Sequence, residues 1–230
     1  MITSTNRDYK QPMKEFNESD NSTSLDPAAE TVKSIKRSFR LFMNGVAASS
    51  MREKGLDYKI IWGIPVTRIR EMAAAYEPSR EVAEQLWQSD VRECKLLAMM
   101  LMPADCCDEE TVMTWVGECR NPEMAEMMAF YLLSQLPFAD RLVERLLADE
   151  AAPSQLCAFH LVSRLATKGV SLSGKPAVTM LAQRAIEAFN GSDMTMKHAA
   201  LNCVVRYAER NLSCTELLVS ELKKHEIDIF

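Results

Sequence analysis

An all-α fold, an α-α superhelix of about five stacked helix pairs, is what this sequence predicts, and three observations carry that prediction. The 230 residues include 15 methionines but seven glycines, a composition that suits helices and disfavours a β-sandwich or a glycine-rich phosphate loop. Apolar residues recur at helical spacing between good capping residues. Helix starts also fall at a regular interval: the first helix of each pair begins near residues 79, 108, 138 and 176, and the second near 90, 121, 153 and 192. Helix pairs at such a period cannot hide their apolar faces alone, and stacking neighbours is the way to cover them. The second helices are longer, which suits the inner layer of a curved array whose hollow takes an extended ligand.

Residues 1 to about 26 are rich in Ser, Thr, Asn, Asp and Lys, too poor in aliphatics to offset the entropy of ordering, and are expected to form a disordered tail. Asp26-Pro27 caps a helix through roughly Phe42, with Val32, Ile35, Phe39 and Phe42 on one face and Lys33, Lys36, Arg37 and Arg40 on others. Such a basic grouping is more often a solvated face than a ligand surface. Asn44 to Asp57, with two glycines and two serines, reads as a connection, and Tyr58 to Trp62 leads from it into Gly63.

From Gly63 to Pro103 three helices follow one another. The first carries Val66, Ile69, Ala73 and Tyr76 and stops at Glu77-Pro78. Ser79 caps the second, which places Val82, Ala83, Leu86 and Trp87 on one side, and Ser89-Asp90 caps the third, with Glu93 three residues after Asp90. The third, Val91 to Met102, is apolar nearly all round and should be buried. Downstream, Asp108 caps Glu109 to Glu118, Asn121 caps a helix with Pro122 at its first position, Phe138 to Ala148 follows, and Pro153 opens the next. Pro176 opens a helix ending at Asn190-Gly191, Ser192 caps a long one, and Ser213-x-x-Glu216 reads as a capping box for the last.

The stretch Gly63-Ile64-Pro65, Ile69-Arg70, Glu81-Val82-Ala83-Glu84-Gln85-Leu86-Trp87 and Glu93-Cys94-Lys95-Leu96-Leu97-Ala98 resembles the signature of the AlkD-like DNA alkylation repair family. That resemblance implies one HEAT-like helical repeat domain over residues 27–230, binding duplex DNA in a concave groove. It also implies a DNA glycosylase activity that excises N3- or N7-alkylated purines. The positive charge on such a base weakens the glycosidic bond, so the reaction needs chiefly a carboxylate beside the developing oxocarbenium sugar and aromatic faces near the cation. In active relatives a middle repeat carries a Trp with an Asp four residues later, and the next repeat's second helix carries an Arg. That pattern is not retained here. The matching segment, Asn121 to Met127, offers Glu123 and Glu126 as the candidate catalytic acids, Trp115 stands one helix too early, and Pro153 to Ala158 has no arginine. Glu123 also lies in the first turn of its helix, where the dipole favours a negative side chain without any catalytic role.

Charge and cysteines bound the partners. The chain carries 27 basic and 32 acidic side chains, but residues 28–100 hold 12 and 9 of them against 12 and 18 in residues 101–230. The N-terminal surplus of three could grip phosphates or be scattered solvated charge; under the family resemblance the expected contacts are Lys59, Arg68, Arg70, Arg92 and Lys95, which grip phosphates rather than read bases. Seven cysteines, with no CxxC and no zinc spacing, read as reduced core thiols, with Cys106-Cys107 the one pair worth a redox test. No metal or cofactor motif is present. His160 with Arg164 could face the groove, although a mid-helix histidine is more often a satisfied interior residue. No apolar run reaches membrane-spanning length, and the expectation is a monomeric cytoplasmic protein. A second reading from a different class stays open: a non-enzymatic scaffold that holds a protein or peptide partner, motivated by the acidic C-terminal portion and the methionine content.

Overall fold

Side-chain caps fix where most of the helices begin. The computed structural model describes residues 26–210 and 212–229, so the expected tail, apart from Asp26, lies outside the described residues. These residues form α1 (Pro27–Phe39), α2 (Gly45–Glu53), α3 (Val66–Ala73), α4 (Arg80–Trp87), α5 (Arg92–Leu101), α6 (Glu109–Gly117), α7 (Pro122–Tyr131), α8 (Ala139–Ala148), α9 (Ala152–Thr167), α10 (Lys175–Asn190), α11 (Met194–Glu209) and α12 (Thr215–Lys223). Asp26, Asn44, Ser79, Asp108, Asn121 and Asp193 each accept a hydrogen bond from a backbone N–H in the first turn of the helix they precede. Each satisfies a donor that the helix itself leaves orphaned.

Successive second helices pack on one another, α5 on α7, α7 on α9 and α9 on α11, and so form one continuous layer. The first helices line the other side, with α1 against α4 and α8, α10 and α12 in series. One cluster of buried apolar side chains runs between the layers from Val32 to Leu222, the continuous core that stacked repeats require. The helix α5 is closed in on nearly every side, as its apolar composition predicts, and Cys94, Cys107, Cys119, Cys157 and Cys203 are buried thiols.

Four local expectations are corrected, the simplest being that Asp193, not Ser192, caps α11. The supposed connection after Asn44 contains α2, because Asn44 caps it and Gly63, at φ 76°, lets the chain lie against its first turn. Asp90 does not cap α5: Val91 is extended and pairs with Ile60 in an isolated parallel bridge, and the Ile60 N–H donates to the Asp90 carbonyl at 3.1 Å. No capping box forms at Ser213, since α12 starts after Cys214, which lies in the left-handed region at φ 63°. The Ser213 carbonyl instead accepts from the Tyr207 hydroxyl at 2.8 Å.

Candidate nucleic-acid interface

The irregular segment from Tyr58 to Pro65 is held by side chains from α5 and α7. The Glu93 carboxylate, fully buried, accepts from the backbone N–H groups of Trp62 at 3.1 Å and Ile64 at 3.2 Å, doing for an irregular chain what a ladder does for a strand. Its neighbour Arg92, 1% exposed, donates through Nε and Nη2 to both oxygens of Glu123 at 2.6–3.1 Å and through Nη1 to the Ile64 carbonyl at 2.8 Å and to Glu93 at 3.2 Å. The Tyr58 hydroxyl adds a hydrogen bond to Glu123 at 3.3 Å. Burial and the facing Glu123 carboxylate push the Tyr58 phenol up, so it stays a neutral donor. Gripped by an arginine fork and a phenol, the Glu123 carboxylate is part of a buried ion-pair knot that ties α5 and α7 to the Tyr58–Pro65 segment.

The phosphate contacts expected from Arg92 and Lys95 need correction. Lys95 is buried, pairs with Glu118 at 2.8 Å, and places its ammonium 4.0 Å from the centroid of the Trp87 ring, which itself stacks on Trp115 at 4.2 Å. Both cations lie on the helix whose every turn is covered, and the apolar stripe that predicted its burial applied to them as well. Lys59 and Arg70 are exposed, and Arg68 spans the Phe42 ring at 4.0 Å while pairing with Glu71 at 2.6 Å.

Farther along the same layer lies a depression of about 220 Å³ lined by Glu126 and Phe130 of α7, His160, Ser163, Arg164 and Thr167 of α9, and Arg206 of α11. Residues four apart on a helix share a face, and that brings Glu126 beside Phe130 and His160 beside Arg164. The Arg164 guanidinium lies 3.8 Å from the Phe130 ring centroid, and its Nε has no partner among the described residues. Arg206 reaches only Thr167, at 3.5 Å. The Lys168 ammonium, pushed down by burial and the charge of Arg164, bonds the Ser134 carbonyl at 2.6 Å. His160 is pushed down to about 4 by burial and is neutral at pH 7, with Nε2 unpartnered. Glu126 is exposed and forms no ion pair or hydrogen bond with the described residues. The depression thus combines two arginines with spare donors, an aromatic face and a free carboxylate, which is a set suited to holding an anionic, partly aromatic ligand.

Sequence reasoning placed His160, Arg164 and Glu126 as candidates but missed Phe130 and Arg206. The i, i+4 spacing of Glu126 with Phe130 was the available signal, and no sequence pattern linked Arg206 to either helix.

A two-layer array of stacked helix pairs with an arginine-lined depression on the second-helix layer defines a helical-repeat protein of the HEAT-like class. The model of the family described as DNA alkylation repair enzyme matches residues 35–211, and the chain belongs to that family. Among solved structures it is similar to a member of "a new family of proteins related to the HEAT-like repeat DNA glycosylases with affinity for branched DNA structures", at 13% identity and a TM-score of 0.71, covering 84% of this chain and 82% of that one. No curated protein matches the chain. Among the described residues, no helix is long and apolar enough to cross a membrane.

Proposed function

We propose that the chain binds DNA along its layer of second helices, with the strand backbone held at the Arg164–Phe130–Arg206 depression and with Lys59, Arg68 and Arg70 as outlying phosphate contacts. The observation that carries this reading is the Arg164 guanidinium, stacked on Phe130 at a depression that Arg206 also lines, with its terminal nitrogens forming no hydrogen bond or ion pair with the described residues. Family membership and the neighbour's affinity for branched DNA both favour DNA as the ligand. If alkylated purines are excised there, Glu126, which lines the depression, is the carboxylate this reading assigns to the sugar.

Anisotropy titration of labelled duplex and branched DNA at several salt concentrations tests binding: affinity should fall linearly on logarithmic axes, with a slope of about 0.9 per phosphate contacted on duplex. No affinity at low ionic strength for either DNA sinks the reading. Release of methylated base from alkylated duplex, compared between the parent and Glu126→Gln, tests the chemistry. Release that survives Glu126→Gln excludes that carboxylate.

A second reading rests on a different surface. Between α4 and α6 a cleft of about 440 Å³ is lined by Glu84, Asp108, Glu110 and Glu118 around the Trp87–Trp115 stack; Arg80 pairs with Glu84 and Asp108 and Lys95 with Glu118, which leaves Glu110 as the carboxylate without an ion pair among the described residues. That lining suits a basic segment of a partner protein, and an Glu110→Lys variant would weaken such a contact without touching DNA affinity.

A further inference from the structure

Three of the large apolar side chains that face solvent lie within six residues of one another: Leu41 at 79% exposed, Met43 at 53% and Val46 at 84%. They occupy the corner between α1 and α2, and its backbone is tied down on several sides. The Asn44 N–H donates to the Trp62 carbonyl at 2.8 Å, and the Asn44 side chain caps α2 through Ala47 N–H at 3.0 Å. Phe39 packs on Trp62 at 5.2 Å, Arg68 covers Phe42, and Arg52 donates to the Ile61 carbonyl at 3.3 Å. Gly63 approaches so closely that a Cβ there would stand 2.2 Å from the Asn44 oxygen and 2.7 Å from the Ala48 nitrogen. A corner so fastened holds its three apolar side chains outward with nothing from the described residues to cover them.

The same corner sits in the most cationic part of the chain. Residues 27–70 carry nine Lys or Arg and three Asp or Glu, a balance of +6, while residues 71–230 carry 15 and 24, a balance of −9. Arg40 immediately precedes Leu41 and Arg37 lies about one helical turn earlier, both exposed, and Arg68 lies over the adjacent Phe42. A partner complementary to an apolar point ringed by cations is an anionic polymer with an accessible apolar face. Intact duplex offers phosphates but closes its base faces by stacking. A branch point offers both, because the bases at the junction stack poorly and apolar wedges insert there at little cost. A bilayer fits less well, since the outward part of α2 beyond Val46 is Ser49, Arg52 and Glu53 and offers no continuous apolar face.

We propose that Leu41, Met43 and Val46 form a wedge that enters DNA at a branch point while Arg37, Arg40 and Arg68 hold the flanking phosphates. This rests on the DNA-binding reading and assigns to named residues the preference for branched over linear DNA that the reading leaves without a structural basis.

The test compares a three-way junction carrying 2-aminopurine at the branch with a linear duplex of the same sequence, using the full chain and its L41S/V46S variant. Both positions are exposed, so the variant should melt as the parent does. The parent should bind the junction about tenfold tighter than duplex and brighten the 2-aminopurine, and the variant should keep its duplex affinity while losing both the preference and the brightening. A variant that keeps the preference overturns the wedge, as does loss of binding to anionic phospholipid vesicles with junction binding unchanged. A parent that binds both DNAs equally overturns the wedge and leaves DNA binding standing. A parent that binds neither removes both.

Discussion

Arg92 and Arg164 each project from the layer of second helices near an aromatic residue and a glutamate, yet one guanidinium is closed in and the other is open. Arg92 spends its donors on Glu123, Glu93 and the Ile64 carbonyl, and its side chain is 2% exposed. Arg164 buries its Nε against Phe130 but leaves its terminal nitrogens without a partner among the described residues, at the edge of a depression where Glu126 is free. Residue types are the same in both places, so type alone cannot separate a structural knot from a binding site. Satisfaction of the polar groups does separate them: a saturated cluster stabilises the fold, and an unsaturated one at the surface is available to a ligand.

The sharpest way to break that distinction is to remove Arg92. Arg92→Ala would strand the buried Glu93 carboxylate and uncover Glu123, a loss of about 3–5 kcal/mol for a buried pair broken on one side. For a chain of this size each kcal/mol moves the midpoint by about 2–4 °C, so thermal melting should fall by about 6–20 °C. A variant that melts within a degree or two of the parent would show that the knot is not holding the Tyr58–Pro65 segment.

Next in size is the acid limb set by His160. Its folded value is lowered from the ordinary 6.5 to about 4, so between those values the unfolded chain binds a proton that the folded chain does not. Stability is therefore full above pH 6.5, falls as pH drops through that window by at most about 3 kcal/mol, and levels off for this group below pH 4. Urea denaturation at several pH values should show a shallower decline in His160→Gln than in the parent. Identical slopes would mean that the imidazole is better hydrated than its surroundings imply.

Gly63→Ala probes the other side of the knot. The added Cβ would meet backbone, not a yielding side chain, at a positive φ, and the expected cost is about 2 kcal/mol or more. The loss should appear in hydrogen exchange as early opening of α2, whose first turn it would push away.

These cases show what the chain discloses before folding. Caps at Asp26, Ser79, Asp108 and Asn121, and the interval between helices, are local or periodic signals, and they located the layers. The capping role of Asp90 was misread because its carbonyl is claimed by Ile60, thirty residues away in sequence, and no local pattern announces such a pairing. Arg92 and Lys95 were mistaken for surface cations because charge usually marks solvent, whereas here partners on α6, α7 and the loop make burial affordable. Glu126 with Phe130 and His160 with Arg164 were each legible as same-face pairs, but only the packing of α7 on α9 brings the two pairs to one depression.

The smallest effect on stability should accompany the clearest effect on binding. Arg164→Ala removes a half-buried stack on Phe130, worth about 1 kcal/mol. If it grips a phosphate, the same change should weaken duplex DNA by about tenfold and lower the salt slope by about 1, the release of one counterion. Arg164→Lys keeps the charge but not the flat fork over the ring, so it should retain the slope while recovering only part of the affinity. Arg92→Ala, by contrast, should leave the slope intact at temperatures where the variant is folded, because its guanidinium never meets the ligand. Should the two variants behave alike in both melting and salt dependence, the division between a saturated and an available arginine would fail, and DNA would have to be held by some other face of the array.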